Sequence, residues 1–152
     1  MPVVGFNFDK FHVERKKPIE APLNVDTGMK IVEIKQEEIP LSGDQTQTVM
    51  RVDYEFSVKY DPKQAEILIE GHLMFLEEKD KLIKMIEEWK KTKKFEPKAT
   101  QLIMNNVLLR CNIKALLLGQ ELGLPPHIRL PMIQPADSGK TPSEKKAEEY
   151  IG

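Results

Sequence analysis

Residues 49–76, VMRVDYEFSVKYDPKQAEILIEGHLMFL, decide the fold. From Val49 to Tyr60 the chain alternates: Met50, Val52, Tyr54, Phe56, Val58 and Tyr60 fall on one side, and Arg51, Asp53, Glu55, Ser57 and Lys59 on the other. A period of two, built from aromatic and β-branched residues, is the pattern of a half-buried strand. Asp61-Pro62-Lys63-Gln64 then supplies turn chemistry, because proline fixes φ and has no N–H for a ladder. Alternation resumes from Ala65 to Leu76, with Ala65, Ile67, Ile69, Leu73 and Phe75 sharing a face. The stretch predicts an antiparallel hairpin.

Toward the N-terminus the pattern is less regular. Phe6 and Phe8 occupy even positions, whereas Phe11 and Val13 are odd. A bulge near Asp9-Lys10 reconciles them, since one extra residue exchanges the two faces of a strand. A further strand is predicted from Met29 to Gln36, after an irregular crossover marked by Pro18 and Pro22. Pro40-Leu41-Ser42-Gly43-Asp44 forms a loop that leads into the hairpin.

Toward the C-terminus the period changes from two to 3.6. Asp80 is placed to cap a short helix with Leu82, Ile83, Ile86 and Trp89 on one side. Lys90, Lys91, Lys93 and Lys94 suit the negative pole at its far end. A second, longer helix starts near Pro97, runs to about Leu122 and ends at Gly123. It carries two apolar stripes on opposed faces: Leu102, Asn106, Leu109, Ile113 and Leu116 on one, and Met104, Leu108, Cys111, Ala115, Leu118 and Leu122 on the other. A surface helix of a monomer needs only one. One stripe is covered by the sheet; the other requires another layer, from within the chain or from a second copy.

After Gly123 the segment LPPHIRLPMI has too many prolines for a helix or central strand, yet it is too apolar for a solvated tail. It is predicted to lie extended across an apolar surface. Residues 1–136 thus form one α+β domain, and residues 137–152, DSGKTPSEKKAEEYIG, a polar disordered tail.

Composition narrows the function classes. The 152 residues carry 23 basic and 24 acidic side chains, a net charge of −1, which disfavours a protein built to neutralise phosphate backbones. The one cysteine, Cys111, precludes an intrachain disulfide and a multi-thiolate metal site. No uninterrupted apolar run reaches the roughly 18 residues of a membrane span, and no secretory signal is visible; a cytoplasmic protein without membrane insertion is expected.

Little in the sequence points to catalysis. His12, His72 and His127 show no metal-ligand spacing, and His72 falls on the charged face of its strand as a surface histidine. Cys111 sits among aliphatics, as a packed small hydrophobe does. Gly139-Lys140-Thr141 lacks the preceding glycine and the strand–helix context of a phosphate loop. Neither an enzyme nor a cofactor is expected. Between Lys79 and Lys98 eight lysines face four acids, a local basic cluster that could contact nucleic acid but has no stacking-aromatic motif with it.

The order of elements resembles the SecB family of export chaperones. The strand pair VMRVDYEFSVKY and AEILIEGHLMFL, the helix ATQLIMNNVLLRCNIKALLLGQ and the following ELGLPPHIRLPMI carry the likeness. It implies a four-stranded antiparallel sheet packed on a long C-terminal helix, with the short helix as an addition. It also implies a homo-oligomer, dimer or tetramer, that binds unfolded or extended polypeptides in an apolar groove, with a link to protein export. By the resemblance Leu68, Met74, Leu76, Leu124, Ile128, Leu130 and Met132 line that groove, and Met104, Leu108, Cys111, Ala115 and Leu118 form the subunit interface. The lysine-rich helix and the near-zero charge depart from the family, whose acidity serves docking to the export motor. An adaptor or antitoxin-associated protein on the same fold, with one specific partner, and a nucleic-acid binder using Lys79–Lys98 are the competing readings.

Overall fold

The structure, a computed structural model, describes residues 2–135. The tail at 137–152 and Gly139-Lys140-Thr141 lie outside the described residues. Four strands, β1 (Val3–Arg15), β2 (Asn24–Pro40), β3 (Thr46–Asp61) and β4 (Ala65–Phe75), precede two helices, α1 (Lys79–Thr92) and α2 (Pro97–Glu121). The strands form one antiparallel sheet in the order β1-β4-β3-β2. The class is α+β, with the long helix at the C-terminal end.

β3 and β4 make the centre because both alternate without a break. Val52 pairs with Leu73, Tyr54 with Gly71, Phe56 with Ile69 and Val58 with Ile67, so the apolar set of each strand lands on one face. Those side chains are buried to 1 % exposure or less. In β1 the register shifts between Phe8 and Lys10, at the position the parity change required. The bulge puts Phe6, Phe8, Phe11 and Val13 together opposite Leu73, Gly71, Ile69 and Ile67. β2 is longer than its apolar pattern predicts, because cross-strand pairing to β3 extends it through the polar stretches on both sides.

The connection from β1 to β2 must cross from one edge of the sheet to the other. Gln64, in the hairpin turn and 5 % exposed, holds it. Its backbone oxygen accepts from Lys16 N at 2.7 Å and Lys17 N at 3.1 Å. Its side chain donates to Glu20 O at 3.0 Å and accepts from Glu20 N at 3.1 Å. Both polar atoms of the buried side-chain amide thereby have a partner.

α1 buries Leu82, Ile86 and Trp89 against β2 and β3. Its cap is Glu78, whose carbonyl takes the first helical bond from Leu82 N at 2.9 Å, with no side-chain cap. Asp80 is therefore not the cap but a first-turn residue, where its charge still favours the positive helix pole. α2 begins at Pro97 and ends in a glycine turn: Gly123 takes φ +65°, and Leu124 N donates to Gly119 O at 2.8 Å.

The face that α2 buries follows every fourth residue: Ala99, Ile103, Val107, Cys111, Ala115 and Gly119. A row of this spacing is inclined to the helix axis, so the line of contact runs obliquely along the cylinder. A stripe parallel to the axis, with spacings of four and three, therefore describes the contact only over part of the helix.

Candidate functional site

The sheet has one dry and one ion-paired face, and this sorts the groove candidates. Leu68 and Met74 occupy even positions of β4, opposite in facing to the buried Ile67, Ile69, Leu73 and Phe75. They share their face with Arg51, Asp53, Glu55 and Ser57, and the Met74 side chain lies over Gly5. Phe6 and Phe8, by contrast, belong to the helix-covered face, packed on the core. Within one chain Leu68 and Met74 therefore do not line a single groove with the segment after α2, because the sheet separates them. Leu76 lies just past the end of β4, half-buried, its amide donating to Pro2 O at 3.1 Å.

The post-helix candidates do gather, on the helix side. Leu124 is 7 % exposed and joins the core beside Tyr60 and Gly119. From there the chain turns back along α2. The Tyr60 hydroxyl donates to Pro125 O at 2.7 Å, and His127 Nε2 donates to Asn112 Oδ1 at 2.8 Å. His127 also meets the edge of Phe56 at 6.2 Å between centroids. Its second nitrogen, Nδ1, is buried with no hydrogen-bond partner among the described residues, and burial holds the imidazole below its ordinary pKa. Between this segment and α2 lies a cavity of about 350 Å³, walled by Ala115, Leu116, Gly119, Pro126 and Leu130. Beyond it Ile128, Leu130 and Met132 are exposed, at 40 %, 46 % and 84 %.

The two-faced character of α2 is present, with the faces exchanged. Of the interface candidates, Cys111 and Ala115 are buried by the chain's own sheet at 0 % and 1 %. Met104, Leu108 and Leu118 flank them, half-buried. Cys111 and Ala115 are occupied within the chain because their small side chains let the helix approach the strands. The face left open carries Leu109, Ile113 and Leu117, at 66 %, 55 % and 53 % exposure. Burial pushes the Cys111 thiol up to about 11, and it sits against the Tyr54 hydroxyl. α2 is long and apolar enough, by length and composition, to cross a membrane. Here it lies on the sheet, with Arg110 stacked over Phe6 and Lys114 over Phe8 and Phe11.

On the ion-paired face His72 has a carboxylate that its own strand does not reveal. His72 Nδ1 donates to Asp9 Oδ2 at 2.7 Å, and Asn7 Nδ2 donates to His72 Nε2 at 3.2 Å. Asp9 is brought there by β1 pairing, a long-range contact that spacing in the sequence does not encode. Asp9, Asp53 and His72 could together ligate a cation, but Arg51 already stands among them, 2.9 Å from Asp53 and 3.9 Å from Asp9. Its guanidinium supplies the positive charge the carboxylates need. The cluster reads as a cross-strand ion network that ties three strands together.

A larger cavity, about 580 Å³, opens where the C-terminal end of α1 meets β2. Trp89, Phe95, Met29 and Met104 give it apolar walls; Lys30, Lys93 and Lys94 stand around it. Lys93 Nζ rests 3.9 Å over the Trp89 ring. The basic cluster was visible in the sequence, but its place beside a cavity was not. That place depends on Lys93 taking the left-handed conformation (φ 58°), which turns the chain out of α1.

No family model and no curated protein matches this chain by sequence. In fold it is similar to a SecB-like chaperone of Mycobacterium tuberculosis, solved in complex with a ChAD peptide from an antitoxin. The TM-score is 0.50 and the identity 10 %, over 88 % of this chain and 91 % of the other.

Proposed function

We propose that this protein is a binding protein, not an enzyme, that holds extended or unfolded polypeptides against the helix side of the sheet. The observation that carries the proposal is the amount of apolar surface left there: Leu109, Ile113 and Leu117 on α2, and Ile128, Leu130, Met132 and Ile133 after it, all at least 40 % exposed. Large apolar patches of this kind mark interaction sites. The likeness in fold to a chaperone solved with a peptide supports the same reading.

Two roles divide the surface. The α2 row Leu109, Ile113 and Leu117 is the self-association face, which makes the working unit a homo-oligomer. Ile128, Leu130 and Met132 remain the client-binding candidates, with flexible Met and Leu side chains that tolerate varied sequences, while Leu124 is spent on the core and anchors the segment. Clients that bind in their unfolded but not their native form are kept from aggregating by mass action, with no energy source. A cytoplasmic location and a link to export belong to the same proposal.

The test is suppression of aggregation for several unrelated unfolded proteins. Suppression of all of them at stoichiometric concentration is expected, and none at that ratio refutes the holdase. A second reading, an adaptor for one specific partner, is favoured by the antitoxin peptide on the structural neighbour. It predicts tight binding of a single peptide and no general suppression.

A further inference from the structure

The cavity at the end of α1 has a chemistry that the exposed surface of α2 lacks. Its residues include three lysines and no carboxylate. Lys30 is engaged by Glu55 at 3.6 Å, whereas Lys93 and Lys94, both exposed, have no ion-pair partner among the described residues. The C-terminal pole of α1 carries only about half a negative charge, so the rim stays positive. Beneath it the walls are Trp89, Phe95, Met29 and Met104. A ligand complementary to this cavity is apolar at one point and anionic beside it.

The backbone narrows the class further. Met29, Lys30, Ile31 and Val32 are consecutive, and all four line the cavity. Side chains of successive strand residues point to opposite faces, so a cavity touching four in a row wraps around the edge of the strand. β2 is an edge strand, with half its backbone donors and acceptors unpaired on that side. Its pairing to β3 slips between Ile31 and Glu33, which leaves Val32 outside the ladder and 52 % exposed over the cavity. An occupant that offers main-chain groups as well as a side chain is an extended polypeptide.

We infer that this cavity is an anchoring site for acidic extended polypeptides: one apolar side chain enters between Trp89 and Phe95, the backbone follows the β2 edge, and flanking carboxylates meet Lys93 and Lys94. The inference rests on the polypeptide-binding reading above and gives it a charge preference and a second site, away from the segment after α2.

Trp89 is the single tryptophan of the chain, so its emission reports on this cavity alone. The probes are a synthetic peptide of alternating Thr and Glu around a central Leu, and its counterpart with Lys in place of every Glu. The acidic peptide is expected to shift Trp89 emission and to bind about tenfold more tightly at low salt, an advantage lost as salt rises. The double variant Lys93→Glu/Lys94→Glu, at exposed positions, is expected to reverse the preference. Equal binding of the two peptides, or a preference unchanged in that variant, overturns the site. A fatty acid such as laurate that shifts Trp89 emission when neither peptide does also overturns it, in favour of a small amphiphile. Aggregation suppression measured on the same samples separates the failures. Suppression without a Trp89 response overturns the anchoring site alone, whereas absence of both overturns the polypeptide-binding reading with it.

Discussion

Gly71→Ala tests the packing that joins β1 to the centre of the sheet. Gly71 lies between Phe8 of β1 and Tyr54 of β3 in the ladder. A Cβ added there would collide with the Asn7 carbonyl oxygen and the Tyr54 hydroxyl, and would come within 2.7 Å of Tyr54 Cζ. One obstacle is backbone and the other is a phenol buried to 1 % exposure, so neither can swing aside as a flexible side chain does. The Tyr54 hydroxyl also donates to that same Asn7 oxygen at 3.1 Å. Overpacking of this kind costs ~1–3 kcal/mol, and breaking a buried hydrogen bond adds ~1 kcal/mol or more. A total of about 3 kcal/mol is a large part of the stability of a domain this size and would lower Tm by roughly 10 °C. Chemical denaturation followed by circular dichroism measures it. Tyr54→Phe alone removes the bond and one of the colliding atoms, at ~1 kcal/mol. In that background Gly71→Ala should cost less, because part of the conflict is already gone, leaving a coupling of about 1 kcal/mol between neighbours. A Gly71→Ala protein within 1 kcal/mol of the parent, or strict additivity of the two changes, would refute the account.

Three further outcomes are expected. His127, held neutral by burial, binds its proton less readily in the folded than in the unfolded chain, so its contribution to stability falls as pH drops below the ordinary value of 6.5 and levels off below its folded pKa; histidine NMR with the Asn112 amide as a reporter follows this, and an unchanged stability between neutral and mildly acid pH in a His127→Gln comparison contradicts it. Ile113→Glu places a charge on the open row of α2 and should dissociate the proposed homo-oligomer with little loss of fold, as read by light scattering and circular dichroism; a monomeric parent, or unaltered mass of the variant at micromolar concentration, refutes the self-association face. Cys111, buried and with its thiol pushed up to about 11, should resist alkylation in the native protein and react fully once unfolded; fast native labelling would place α2 differently.

The sequence made the sheet legible because its strands are amphipathic, and amphipathicity is local. The alternation of Val49–Tyr60 and the parity change at Asp9-Lys10 correspond to strand faces and a bulge in the structure. Helix ends at Pro97 and Gly123 were legible for the same reason, since each depends on a single residue. What escaped was everything decided by which element lies above which. The stripe with Cys111 and Ala115 faces the chain's own sheet because small residues favour close packing, and close packing serves a sheet as well as it serves a second subunit. Leu68 and Met74 were legible as apolar, but the side of the sheet to which α2 returns is settled only by the full topology. The Asp9–His72 pair and the role of Gln64 in the turn are likewise long-range, joining residues far apart in the chain.

The strand order carries a further consequence for synthesis. Both edges of the sheet, β1 and β2, are made from the chain up to Pro40, while the two strands that fill its middle come later. Val3 cannot find Phe75, nor Val13 find Ile67, until the whole hairpin has left the ribosome. At ~5–20 residues per second, β1 stays without a partner for several seconds. Its Phe6, Phe8 and Phe11 are meanwhile bare, guarded only by interleaved charges such as Asp9, Lys10 and Glu14. During synthesis β1 thus waits as an unpaired segment for its sheet, the same condition in which the proposed clients would reach the folded protein.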